Sequence, residues 1–224
     1  MTYEELIDTL FENRNEKFAA FSKSLSHSEY ISIGVKNPEL RAIIKEHKKD
    51  SQLLLSDFQL GKYLEVDFIY FGLALSRLQT IDEQLSFLQK EIKKAKSWAV
   101  VDSVPTFLKK HRFQDYQSYF FKTYQSKDLY ERRSAYVLGI KHYRDRNILS
   151  LLPHFTLNEE YMVYMAQAWL LSFTAIKYPE EVFSYLSSIS DEKLIRKTVS
   201  KICDSFRFSQ EQKELFKSLR KGGK

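Results

Sequence analysis

Residues 161–178 read YMVYMAQAWLLSFTAIKY, an apolar run of helical length with no glycine or proline inside it. Two other stretches share its character, SWAVVDSV at 97–104 and RRSAYVLGI at 132–140. Trp98, Arg133 and Trp169 lie in these stretches at spacings of 35 and 36 residues, and a further step of 35 reaches Asp204 in KICDSFRF. A period of this size fits one helical hairpin, and such hairpins stack into a solenoid whose equivalent positions line one concave face. The spacing therefore predicts stacked helical pairs, with Trp98, Arg133 and Trp169 converging on one groove.

The rest of the chain agrees with an all-α reading. Tyr3, Leu6, Ile7, Leu10 and Phe11 form an apolar stripe with helical periodicity. Pro38 and Glu39 open a helix through LRAIIKEHKK, because proline is tolerated in a first turn. Residues 60–78 are too densely apolar for a surface helix, and 81–95 are amphipathic. Helices are further predicted over 115–124 and 134–143, after Pro179 in EEVFSYLSS, from Asp191, and over 209–219, where SQEQ is a capping box. No alternating strand pattern and no composition break occurs, so residues 1–224 read as one domain.

The composition narrows the function classes. The 224 residues hold only 6 Gly and 4 Pro, and 35 basic against 29 acidic residues leave a net charge of +6. A positive balance favours a polyanionic partner such as nucleic acid. Cys203 is the only cysteine, which removes disulfide frameworks and cysteine metal clusters, and it reads as a buried, inert thiol. The five histidines have no metal-ligand spacing, and phosphate loops, dinucleotide fingerprints and nucleophile elbows are absent. No metal or other cofactor is expected. The acidic, amphipathic start is no secretory signal and no run is long enough for a membrane span, so a cytoplasmic monomer is expected.

Trp98 and Asp102 are the one pairing that resembles a site, four residues apart and so on one helical face. Two readings stand. Trp98 is core and Asp102 caps a new helix ahead of Pro105. Alternatively, the indole face meets a cation or planar base while the carboxylate stabilises developing positive charge. Trp169 likewise reads as core or as ligand contact. Arg132 and Arg133 are a solvated pair at a helix start or a phosphate clamp. Lys109, Lys110 and Arg112, then Lys141, Arg144 and Arg146, follow successive apolar segments, and Arg196, Lys197 and Lys201 extend the series. Cations at helix C-termini suit the helix dipole, but in stacked repeats they would lay a basic track along one edge.

Five stretches in order carry a family resemblance: IGVKNPELRAIIKE (33–46), SWAVVDSVPTFLKKH (97–111), ERRSAYVLGIKHY (131–143), YMVYMAQAWLLSF (161–173) and RKTVSKICDSFRFSQEQKE (196–214). The chain resembles the AlkD family of HEAT-like repeat DNA alkylation repair proteins. The resemblance implies a right-handed superhelical solenoid of HEAT-like repeats holding duplex DNA, and excision of cationic N3- or N7-alkylated purines without cofactor. It assigns the catalytic aspartate to Asp102, its two flanking tryptophans to Trp98 and Trp169, and the backbone-gripping arginine to Arg133. Ala99 stands where glycosylase members often carry a second adjacent tryptophan. Active members also place an aromatic, basic helix before Ile33, whereas this chain reads FAAFSKSLSHSEY at 18–30. Serine is a modest helix former. The alternative function is thus a divergent paralogue that binds DNA weakly and lacks excision because that minor-groove helix is missing or altered. A third reading is a protein-interaction solenoid.

Overall fold

The computed structural model describes residues 1–26, 30–155 and 160–220. Among these the secondary structure is helical throughout, apart from one isolated bridge between Ile31 and Tyr63. The chain gathers into two compact units, Met1–His111 and Arg112–Lys224.

In the first unit α1 (Tyr3–Glu12) begins at a capping box in which Thr2 and Glu5 satisfy each other's backbone N–H groups. Of its predicted stripe Leu6 and Leu10 are fully buried and Tyr3 and Ile7 half-buried, while Phe11 is exposed. Next come α2 (Glu16–Ser26) and α3 (Asn37–His47), then α4 (Leu64–Arg77), whose residues from Glu65 to Leu75 are all buried. The densely apolar segment is therefore the central helix of this unit. It starts at Leu64 rather than residue 60, because Gly61 has φ of +90° and Tyr63 is extended in the bridge to Ile31. Arg77 closes the α3 end, donating to the carbonyls of His47, Lys48, Asp50 and Leu53 at 2.9–3.2 Å. Those carbonyls belong to a helix terminus and the loop that follows it, where intrahelical partners run out. The unit ends with α5 (Ile81–Glu91) and the short α6 (Trp98–Ser103).

The second unit holds α7 (Phe113–Thr123), α8 (Leu129–Gly139), α9 (Tyr161–Thr174), α10 (Pro179–Ser188), α11 (Glu192–Asp204) and α12 (Gln210–Ser218). Tyr116, Tyr119, Phe120 and Tyr136 form a buried aromatic core between α7 and α8. Two of the hydroxyls are paired: Tyr116 donates to the Ala135 carbonyl at 2.8 Å, and Tyr119 meets Ser134 Oγ at 2.6 Å. Helix α9 packs against both α8 and α11. Asp191 and Ser209 cap α11 and α12 as their sequences predict. Cys203, expected to be buried, is half-exposed, one step off the Leu194/Thr198/Val199/Ile202 stripe of α11.

The helices repeat, but not with the period of the landmark residues. Helices α6, α8, α9 and α11 begin at residues 98, 129, 161 and 192, intervals of 31 or 32. Trp98, Arg133, Trp169 and Asp204 occupy the first, fifth, ninth and thirteenth positions of these helices. Each lies about one turn, ~6 Å, further along its own helix than the one before. The 35-residue spacing thus marks residues that slide along successive helices, and they are not structurally equivalent positions. Also, α8 starts five residues before the predicted 134, because Asp128 Oδ1 accepts from the Tyr130 and Glu131 amides at 3.0 and 2.9 Å.

One glycine sets a close approach. Gly34 has φ of +97°, and a Cβ there would stand 2.2 Å from the Asn15 carbonyl oxygen at the start of α2. Gly34→Ala is expected to cost at least about 2 kcal/mol, lowering the melting temperature by about 4–8 °C. A thermal melt within 2 °C of the native one (about the resolution such a comparison needs) would show that this junction yields freely.

Candidate functional site

Helix α6 carries the Trp98/Asp102 pair. Ser97 is its N-cap, with Oγ accepting from the Ala99 amide at 3.2 Å. Val100, Val101 and Val104 are fully buried, leaving Trp98, Ala99 and Asp102 half-buried on the other side. Pro105 then turns the chain into a single 3-10 turn, Val104–Thr106. Asp102 therefore lies inside α6 and is not a helix cap, which Ser97 supplies instead. Trp98 is not a fully buried core residue either. The pair shares one partly accessible face, as the i, i+4 spacing requires.

The serine-rich stretch before Ile33 forms a helix over Glu16–Ser26, so of the alternatives that it is missing or altered, the first does not hold. Asn15 starts it, accepting from the Phe18 amide at 2.9 Å through Oδ1. His27, Ser28 and Glu29, the last serine of the stretch among them, lie outside the described residues. Its serines sit in its C-terminal half, and Phe18, Ala19 and Ser22 form its half-buried side. Trp98 Nε1 donates to the Leu25 carbonyl of α2 at 3.3 Å. Phe18, Phe21, Leu25, Val35, Phe68 and Trp98 line an apolar cavity of about 190 Å³ beside that bond.

Two buried carboxylates that sequence reasoning missed hold this region together. Glu65 accepts from Ser32 Oγ at 2.9 Å and from the Ile33 and Gly34 amides at 3.0 and 2.8 Å. Asp67 accepts from the Tyr30 hydroxyl and the Gly61 amide, and the Tyr30 oxygen in turn accepts from the Lys96 amide at 3.0 Å. The first turn of α4 thereby fixes both the segment leaving α2 and the residue two before Trp98. Acids suit a helix N-terminus. The available sequence signal was LEVD, two acids at the head of a helix too apolar to be on the surface.

Burial pushes the Asp67 carboxyl up to about 6, against the pull of Tyr30 and Gly61. Its unfolded counterpart loses its proton near 3.8. Between these values the folded state holds more protons, so stability falls as pH rises, by about 3 kcal/mol at most once both forms are ionised. Glu83, held below its ordinary value by the Thr80 and Gln79 amides, acts with the opposite sign, its contribution being lost as pH falls. Asp67→Asn isolates the first effect. Urea titrations are expected to show a decline between about pH 4 and 6 that is shallower in the variant, and parallel profiles would contradict the assignment.

The remaining candidate residues are placed as follows. In the second unit Arg133 is 5% exposed and its guanidinium donates to the Met162 carbonyl at the start of α9. Arg132 is half-buried, donating to the Ser126 carbonyl at 3.2 Å and pairing with Glu160 at 3.5 Å. Of the two readings, solvated pair or phosphate clamp, the solvated one holds for neither arginine. Trp169 is half-buried on α9, with Lys201 Nζ 5.8 Å from its ring centre. Lys197 stands likewise 5.9 Å from Tyr161, and Arg207 lies 5.0 Å over Phe173. Tyr161, Trp169 and Phe173 of α9 are thus each met by a cation from α11 or the turn that follows it. Arg144 covers Tyr143, and Arg146 pairs with Glu181 and covers Tyr178. Arg112 and Arg196 are exposed but paired, with Asp115 and Glu192. Lys141 is exposed, as are Lys109 and Lys110 in the first unit. Among the described residues no cluster of His, Cys, Asp and Glu is placed to hold a metal ion, and no helix is long and apolar enough to cross a membrane.

A family model described as DNA alkylation repair enzyme matches residues 5–201. The chain belongs to the DNA alkylation repair family. Neither a curated protein nor a solved structure matches it. The match spans both units, so in this DNA alkylation repair protein Trp98 and Asp102 of the first unit and Trp169 of the second all fall inside the family region.

Proposed function

We propose that this family member is a DNA glycosylase that releases cationic N3- or N7-alkylated purines from duplex DNA. The observation that carries the reading is the partly accessible face of α6, where Asp102 stands one turn from a tryptophan fixed by the Leu25 carbonyl. An alkylated purine already bears positive charge. As its C1′–N bond breaks, the electron pair moves to the ring nitrogen and neutralises the base. The charge passes to the sugar as an oxocarbenium ion, which the Asp102 carboxylate stabilises electrostatically. Water then bonds to C1′ and releases one proton to solvent, leaving a hydroxyl on the sugar. Trp98 and Trp169 supply aromatic faces for the cationic base and sugar, and Arg196, Lys197 and Lys201 on α11 supply phosphate contacts. The protein acts as one cofactor-free domain, a cytoplasmic monomer.

A second reading, a DNA-binding paralogue without excision, is favoured by Arg133, whose guanidinium is directed to the Met162 carbonyl. The deciding experiment is incubation with methylated duplex DNA and chromatography of the released bases. Release of 7-methylguanine or 3-methyladenine is expected. Binding that weakens steeply with salt, without release at enzyme excess, would replace the glycosylase reading with the second one.

A further inference from the structure

We propose that Phe206, in the turn between α11 and α12, is a wedge that enters the base stack of bound DNA and unstacks one step. The inference rests on the reading of the chain as a DNA binder. Phe206 is completely exposed. The turn that presents it is nevertheless tied at both sides. Ser205 Oγ accepts from the Arg207 amide at 3.2 Å, Phe208 is buried against Phe216, and Ser209 caps α12.

An isolated exposed phenylalanine is ordinary on a protein surface. What distinguishes this one is its company. The adjacent Arg207 guanidinium lies over Phe173, and Lys201 lies over Trp169. These four side chains line a shallow cavity of about 290 Å³ together with Phe208, and Asp204 is its one acid among the described residues. Two cations against one carboxylate leave a net positive rim for phosphates. Aromatic faces beside the rim are surfaces on which bases stack. A projecting apolar side chain flanked by such cations is the combination with which proteins pry base steps apart. A single ring amid charges offers little contiguous apolar area to a protein partner.

The test uses duplexes with 2-aminopurine placed at successive positions, whose fluorescence rises on unstacking. Wild-type protein is expected to raise it at one step. Phe206→Ala is expected to abolish that rise and weaken binding by roughly tenfold, with the salt dependence and thermal melt unchanged. Phe206→Leu should retain most of the rise. A rise that survives Phe206→Ala, or binding without a rise at any position, overturns the wedge while leaving DNA binding intact. Absence of binding by the wild type overturns the wedge and the proposed function together.

Discussion

Asp102→Asn is expected to cut release of 7-methylguanine from methylated duplex DNA by at least about 100-fold, with no loss of fold. The amide keeps the size of the carboxylate but carries no charge, so it cannot stabilise the oxocarbenium ion as the base departs. Asp102 is half-buried on the open side of α6 and is not the cap of that helix, so the substitution leaves Ser97 and the three buried valines in place. Single-turnover release at enzyme excess separates this effect from weakened binding. A variant within threefold of the wild type (a change far smaller than charge stabilisation predicts) would remove Asp102 from the chemistry. Unchanged circular dichroism must accompany the loss.

Glu65→Ala is expected to produce the largest loss of stability of any single change in the first unit, about 3–5 kcal/mol. The carboxylate is 2% exposed and accepts three hydrogen bonds from residues 32–34. Its removal leaves the Ile33 and Gly34 amides buried without a partner and opens a void at the head of α4. Glu65→Gln recovers only part, because its NH₂ group faces the donors of the segment it replaces. Differential scanning calorimetry should show the ordering wild type, Gln, Ala, and hydrogen exchange should quicken over α2, which this segment anchors. Equal melting temperatures for all three would mean that α2 docks without Glu65.

The sequence made the helices legible where the signal was local. Asp191, Ser209 and Pro179 mark helix starts, and the run from Tyr161 is a single helix, because caps and periodicity act within a few residues. What it could not convey was long-range. Tyr30 and Asp67 are 37 residues apart, and Ser32 and Glu65 are 33 apart, with no local pattern announcing that they meet. The solvated reading of Arg132 and Arg133 rested on a helix start placed too late. Asp128 begins α8 earlier, so Arg133 reaches the Met162 carbonyl of α9 while Arg132 meets the Ser126 carbonyl and Glu160. The serine-rich segment misled for a related reason. Propensity weighs serine against the helix, whereas the contacts of Gly34 and Trp98 with α2 come from elsewhere in the chain. The Trp98/Asp102 pair was visible in sequence from its i, i+4 spacing, but its attachment to α2 was not.

The placement of the two tryptophans has an optical consequence. The chain contains only two, one in each compact unit. Trp98 has its indole N–H engaged by a main-chain oxygen of α2, whereas Trp169 lies beneath the ammonium group of Lys201. The two emitters thus sit in different electric fields. With Trp169→Phe, emission reports solely on the seam between α2 and α6, and with Trp98→Phe it reports solely on the face shared by α9 and α11. Native chemistry has supplied each half of the molecule with its own fluorescent gauge, so undocking of α2 and occupation of the second unit can be timed independently, without an added label.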